Sequence, residues 1–83
     1  MKITVRYFAS IREAIGQGSE VVETSSATLG ALRDELIARG GAHASSLARG
    51  RAVRMALNQT LSDESATLAD GAEVAFFPPV TGG

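Results

Sequence analysis

The stretch Thr28–Arg39, TLGALRDELIAR, decides the architecture. Its Leu29, Leu32, Leu36 and Ile37 fall at i, i+3, i+7 and i+8, the spacing that gathers apolar side chains on one helix face. Thr28 or Ser26 offers a capping hydroxyl, and Gly40-Gly41 ends the segment. Gly30, in the first turn, costs about 1 kcal/mol against Ala, which we read as the cost of a close approach to a sheet. Around this helix the dominant period is two. Upstream, KITVRYF (2–8) sets Ile3, Val5 and Tyr7 against Lys2, Thr4 and Arg6, a half-buried strand, with Phe8 falling on the polar side. Ser10–Ile15 reads as a short helical turn capped by Ser10 and stopped by Gly16. Gly16-Gln17-Gly18 is a turn, and SEVVET (19–24) a second strand able to form a hairpin with the first.

Downstream, AHASSLA (42–48) suggests a weak helical turn inside Gly40–Arg51, a run of small residues with no assigned conformation. AVRMAL (52–57) alternates again, with Val53, Met55 and Leu57 on one face. Asn58-Gln59 is a turn, Thr60-Leu61 a short pairing segment, and Leu68–Gly71 the turn that feeds the last strand, Glu73–Phe77. Pro78-Pro79 ends that strand, because neither residue has an N–H for a ladder. The order predicts an α+β layer pair: one domain over 1–83, a mixed sheet of about five strands with one main helix on one face, and 78–83 as an extended C-terminal tail.

Composition narrows the chemistry. The chain has no Cys, which removes disulfides, thiolate ligands and thiolate catalysis. Eight basic and nine acidic residues leave a net charge of −1 and no basic stripe for nucleic acid. No apolar run approaches the roughly 20 residues of a membrane span, and Arg6 and Arg12 interrupt any signal-peptide core. A cytoplasmic protein is the expectation. His43, the single histidine, sits among small residues and reads as a surface residue rather than a metal ligand or general base. The carboxylates show no paired spacing, and Asp34-Glu35 to Arg39 reads as a helix-surface charge pattern. Ser25-Ser26 and Ser45-Ser46 lack a histidine partner in any triad pattern. No metal or bound cofactor is expected.

Elimination moves attention to FFPPVTGG, Phe76–Gly83. Pro78-Pro79 fixes φ at two positions, Val80 and Thr81 favour extended backbone, and Gly82-Gly83 is bare enough to thread a narrow channel. A terminus without function is an equally open reading of these residues alone. If the Gly83 carboxylate is reactive, it must first be activated, because a carboxylate is a poor electrophile. The chain has no phosphate-binding loop, so a separate ATP-using enzyme would have to do this.

RYFASIRE (6–13), NQTL (58–61) and LADGAEVAFFPPVTGG (68–83) resemble the small, sulfur-carrying subunit of molybdopterin synthase, and the likeness extends along the whole chain. The resemblance implies a β-grasp, ubiquitin-like fold. It implies that Gly83 is adenylated by an activating enzyme that uses ATP, then thiocarboxylated. The tail Pro78, Pro79, Val80, Thr81 and Gly82 would carry it into the large synthase subunit, in a heterotetramer of two small and two large subunits. There sulfur passes to precursor Z (cyclic pyranopterin monophosphate). Phe8, Leu61 and Phe77 match apolar docking positions, and Arg12 a position near the tail. Phe8 and Phe77 both break the parity of their strands, which by itself means either satellite packing or an interface anchor; the resemblance favours the anchor. The alternatives are a thiamin-pathway sulfur carrier, a ubiquitin-like protein modifier joined through Gly83 to lysines, and an interaction module with an idle tail.

Overall fold

A computed structural model describes residues 1–79, and Val80, Thr81, Gly82 and Gly83 lie outside the described residues. Five strands, β1 (Lys2–Tyr7), β2 (Ser19–Glu23), β3 (Arg54–Leu57), β4 (Thr60–Ser62) and β5 (Glu73–Phe77), form one mixed sheet in the order β2-β1-β5-β3-β4. β1 and β5 run parallel at the centre and the other pairs are antiparallel. The helices are α1 (Ala9–Ile15), α2 (Leu29–Ile37) and α3 (Gly41–Leu47). The α+β expectation holds, with α2 as the main helix and two seven-residue helices beside it.

Period-two patterning fixes which face is dry. Ile3, Val5, Tyr7, Val22, Met55, Val74 and Phe76 meet Ile11, Leu29, Leu32, Leu36 and Leu47 from the helices in one core. The opposite sheet face has no helix among the described elements and carries the other parity of each strand. Thr28 caps α2 as expected, its hydroxyl accepting from Ala31 N–H at 3.2 Å. Asn58 and Gln59 have φ 50° and 69°, a two-residue hairpin turn of the primed type. Asn58 Oδ1 also accepts from Glu73 N–H at 2.9 Å, tying this turn to the start of β5.

Several expectations are corrected. Ser10 does not cap α1. The helix begins at Ala9, after Phe8, whose carbonyl accepts from the Ile11 and Arg12 amides at 3.2 and 3.3 Å, and no side chain caps it. β1 and β2 pair as expected, and the helical turn expected over 10–15 is present between them as α1. Gly30 does not approach the sheet. A Cβ there would lie 3.0 Å from Glu64 Cβ, so the close contact is with the connection after β4. The run of small residues after Gly40 forms the full helix α3. Arg39 leaves its own helix surface to pair with Glu20 of β2 at 2.6 Å, and Asp34 pairs with Arg49 at 2.8 Å.

His43 is not a surface residue either. It is half-buried, its Nε2 is 3.0 Å from Glu20, and its ring stands edge-on to Tyr7. Tyr7 donates to the same Glu20 carboxylate at 2.7 Å, so one side chain of β2 binds β1, α3 and Arg39 beyond the end of α2. Burial by itself raises the Glu20 pKa, but hydrogen bonds from Arg39, His43 and Tyr7 outweigh it and bring it down to about 2 from 4.5. A depressed carboxylate stabilises the fold above its unfolded value and loses that contribution as pH falls through its folded value, here an effect on the order of 3 kcal/mol. The stability advantage of the native chain over Glu20→Gln, read from urea midpoints, is expected in full above pH 4.5 and to shrink as pH approaches 2. A gap that stays constant across that window would remove Glu20 ionisation as the source.

Candidate functional site

The placement of β5 builds the site. Its inward residues Val74 and Phe76 are fully buried, so Phe77 turns to the open face, where it pairs with Arg54 of β3. The registers Arg6↔Ala75, Ala56↔Ala75 and Ala56↔Leu61 set Arg6, Ala75, Ala56 and Leu61 in one row across that face. Tyr7 pairs with Phe76, which brings Phe8 level with Phe77 in the next row. The two alanines leave a low floor between taller apolar side chains. Phe8 is 39% exposed and Leu61 61%, while Phe77 is half-buried.

Phe8 is held by its backbone rather than by burial. Its N–H donates to Phe76 carbonyl at 3.1 Å, and its own carbonyl starts α1. Ala9 comes next at φ 51°, a left-handed conformation that L-residues adopt at a cost of about 1 kcal/mol or more. It turns the chain sharply from strand to helix. The Arg6 guanidinium lies 5.2 Å from the centre of the Phe8 ring, within cation–π range.

The tail leaves the sheet beside this face. Pro78 and Pro79 line an open groove of about 310 Å³ with Ser10, Ile11 and Ala14 of α1 and the segment Arg51–Val53. A second open groove of about 900 Å³ runs between Ala52–Met55 and Leu61–Ser65, and Pro79 lines both. Two prolines seated between α1 and the start of β3 fix the place where the chain departs from the sheet.

The structure therefore brings Phe8, Phe77 and Leu61 to one face, with Pro78 and Pro79 at its edge. It places Arg12 elsewhere, in a groove with Ala9, Glu13 and Gly16–Gly18, where a Cβ at Gly18 would stand 3.1 Å from the Arg12 guanidinium carbon. The expected roles of Val80, Thr81, Gly82 and Gly83 fall outside the described residues. Sequence reasoning missed Arg6 and Arg54 as parts of this face. The parity of their strands was the available signal, but a charge on the wet side attracts no notice until the strand registers are known. Among the described residues no group of three or more His, Asp or Glu side chains is placed to hold a metal, and no helix is long and apolar enough to cross a membrane.

Known proteins agree with this geometry. The family model described as the ThiS family matches residues 5–83. The molybdopterin synthase sulfur carrier subunits of Haemophilus influenzae and Escherichia coli are 41% and 43% identical over 81 residues, covering 98% of this chain and 99% of each relative. Among solved structures, SAMP1 from Haloferax volcanii superposes with a TM-score of 0.80 at 26% identity over the whole of both chains. The complex of subunits 1 and 2 of molybdopterin-converting factor from Helicobacter pylori contains a chain that matches with a TM-score of 0.69 at 28% identity, again over the whole of both. The strand order, the parallel central pair and helix α2 across one face are those of the β-grasp fold. A match over nearly the full length, to relatives above 40% identity and to structures of the same fold, makes this chain a member of the ThiS family, among the sulfur carrier subunits of molybdopterin synthase.

Proposed function

We propose that this chain carries sulfur for molybdenum-cofactor biosynthesis on the C-terminal carboxylate of Gly83. A separate enzyme adenylates Gly83 with ATP, releasing pyrophosphate. A sulfur donor then displaces AMP, one carboxylate oxygen leaving with the AMP and sulfur taking its place as a thiocarboxylate. The tail enters the large subunit of molybdopterin synthase, in an assembly of two small and two large subunits, and the sulfur passes to precursor Z. The observation that carries this reading is the 43% identity to the Escherichia coli sulfur carrier subunit over nearly the whole of both chains. The partner reading is supported by the Helicobacter pylori complex of subunits 1 and 2, whose matching chain shares this fold. Phe8, Leu61 and Phe77 form the docking face in this reading, and Arg12, in its separate groove, would meet a partner only outside that face. Pro78 and Pro79 aim the tail, Val80 and Thr81 extend it, and Gly82 gives it passage. These relatives favour the molybdopterin pathway over the thiamin pathway.

Incubation with a matching activating enzyme, ATP and a sulfur donor is expected to replace one oxygen of the intact protein by sulfur, read by mass spectrometry. An unchanged mass, with the other components shown to be active, would sink the proposal. The likeness to a small archaeal modifier protein from Haloferax volcanii keeps one second reading, attachment of Gly83 to lysines of other proteins. A stable isopeptide conjugate in cell extract distinguishes it.

A further inference from the structure

The open sheet face carries charge as well as apolar surface: two guanidinium groups flank the apolar residues, and Asp63 and Glu64 line the groove that Arg54 shares with Pro79. Arg6 and Arg54 stand at opposite flanks of the apolar group, Arg6 in the row of Ala75, Ala56 and Leu61, and Arg54 directly across from Phe77. Both are exposed. Arg54 makes no ion pair with any described residue, and Arg6 has only a distant contact with Glu73 at 3.9 Å, with both groups substantially wet. A contact of that kind contributes little to stability. Three other arginines serve the fold, while Arg12 lies in a separate groove. Arg33 bonds α3 carbonyls, Arg39 bonds Glu20, and Arg49 bonds Asp34 and Glu64. Arg6 is also coupled to an apolar anchor, since its guanidinium lies over the Phe8 ring. A group that approaches Phe8 from solvent meets that charge at the same time.

We propose that Arg6 and Arg54 form a carboxylate-reading rim on this face, and that the surface that covers it is an apolar patch of the tail-accepting protein flanked by acidic side chains. This rests on the sulfur-carrier reading for the identity of the partner, but not for the chemistry of the rim. Unpaired guanidinium groups around an apolar centre attract carboxylates over a Debye length, and a bidentate pair fixes orientation once contact is made. Opposite charge at a rim acts mainly on the association rate, so the face would steer the partner before the apolar residues lock it. Ala56 and Ala75 leave room for one partner side chain between the two arginines.

The experiment measures association of the purified large subunit with the full chain at low and at high salt. For the native chain the association rate is expected to fall with salt. The double variant Arg6→Glu/Arg54→Glu is expected to associate about tenfold more slowly at low salt, with the salt dependence flattened or reversed. Arg6→Lys/Arg54→Lys should keep the native salt dependence, since it keeps the charge. Thermal unfolding of each variant controls for damage to the sheet. Equal rates and equal salt dependence for the native and Glu variants would overturn the proposal while leaving sulfur carriage intact. A native chain that is thiocarboxylated by its activating enzyme yet binds no large subunit would overturn the proposal and the assigned partner together. A chain that is never thiocarboxylated but still shows the salt-dependent association would support the rim and count against sulfur carriage.

Discussion

Removing Gly83, or adding one residue after it, is expected to abolish sulfur transfer while leaving the unfolding midpoint where it is. The proposed working group is a single carboxylate whose position is set by chain length, and one residue more or less moves it by roughly 3.4 Å. A misplacement of about 1 Å is enough to cost on the order of 100-fold in a positioned reaction, so a displacement several times larger leaves nothing to measure. Added length also turns the Gly83 carboxylate into an amide, which cannot be adenylated. Stability is untouched for a separate reason. The core runs from Ile3 to Phe76, and every described hydrogen bond that holds the tail side of β5 is made at or before Phe77. The check is intact mass after incubation with activating enzyme, ATP and sulfur donor, beside thermal unfolding of the same samples. Transfer by the extended chain, without trimming, would show that the free terminus is not the working group.

How far the sequence alone reaches depends on how local the physics is. β5 was legible to its last residue because Pro78-Pro79 cannot continue a ladder and Gly71, at φ 83°, supplies the turn before it. α2 was legible because its leucines repeat on one face and Thr28 caps it. α3 was only half legible. GAHASSL has one fully buried apolar side chain, Leu47, and no periodicity of its own, so its helix is held by groups distant in sequence. His43 was misplaced for the same reason, since its partner Glu20 is 23 residues earlier, on β2. At the candidate site, Phe8 and Phe77 stood out as breaks in parity. Leu61 entered only through a family likeness, because a three-residue strand has too little pattern to violate. Arg6 and Arg54 needed three strand registers before they became neighbours of the same patch.

Arg33 is the residue whose loss is expected to cost the fold most among the polar positions. It lies on α2 and is only 4% exposed, yet it is charged. Its Nε donates to Leu47 carbonyl at 2.7 Å and its Nη2 to Ala48 carbonyl at 2.8 Å, with a longer contact to Arg51 carbonyl at 3.4 Å. The Leu47 carbonyl is one that α3 leaves without a backbone donor at its C-terminus, where a cation is also favoured by the helix dipole, whereas the Ala48 carbonyl also accepts from Arg51 N–H at 2.9 Å. Glu64 lies 3.7 Å from Nη1 and offsets part of the charge. Burial, and then the neighbouring Arg49, lower its pKa, but a guanidinium starts so high that it stays protonated. Arg33→Ala removes the cap, opens a void, leaves the Leu47 carbonyl without a donor and takes one of two donors from Ala48, an expected loss on the order of 3 kcal/mol. Arg33→Lys should recover only part of this, because an ammonium on a flexible stem does not reproduce the planar fork that reaches two carbonyls together. Urea unfolding reads both, as a fall in midpoint at unchanged slope. The segment Arg33 secures continues into Arg51–Val53, the wall against which Pro78 and Pro79 sit. A loss below about 1 kcal/mol for Arg33→Ala would mean that water or Arg49 takes over the carbonyls, and that the wall of the tail groove does not depend on this cap.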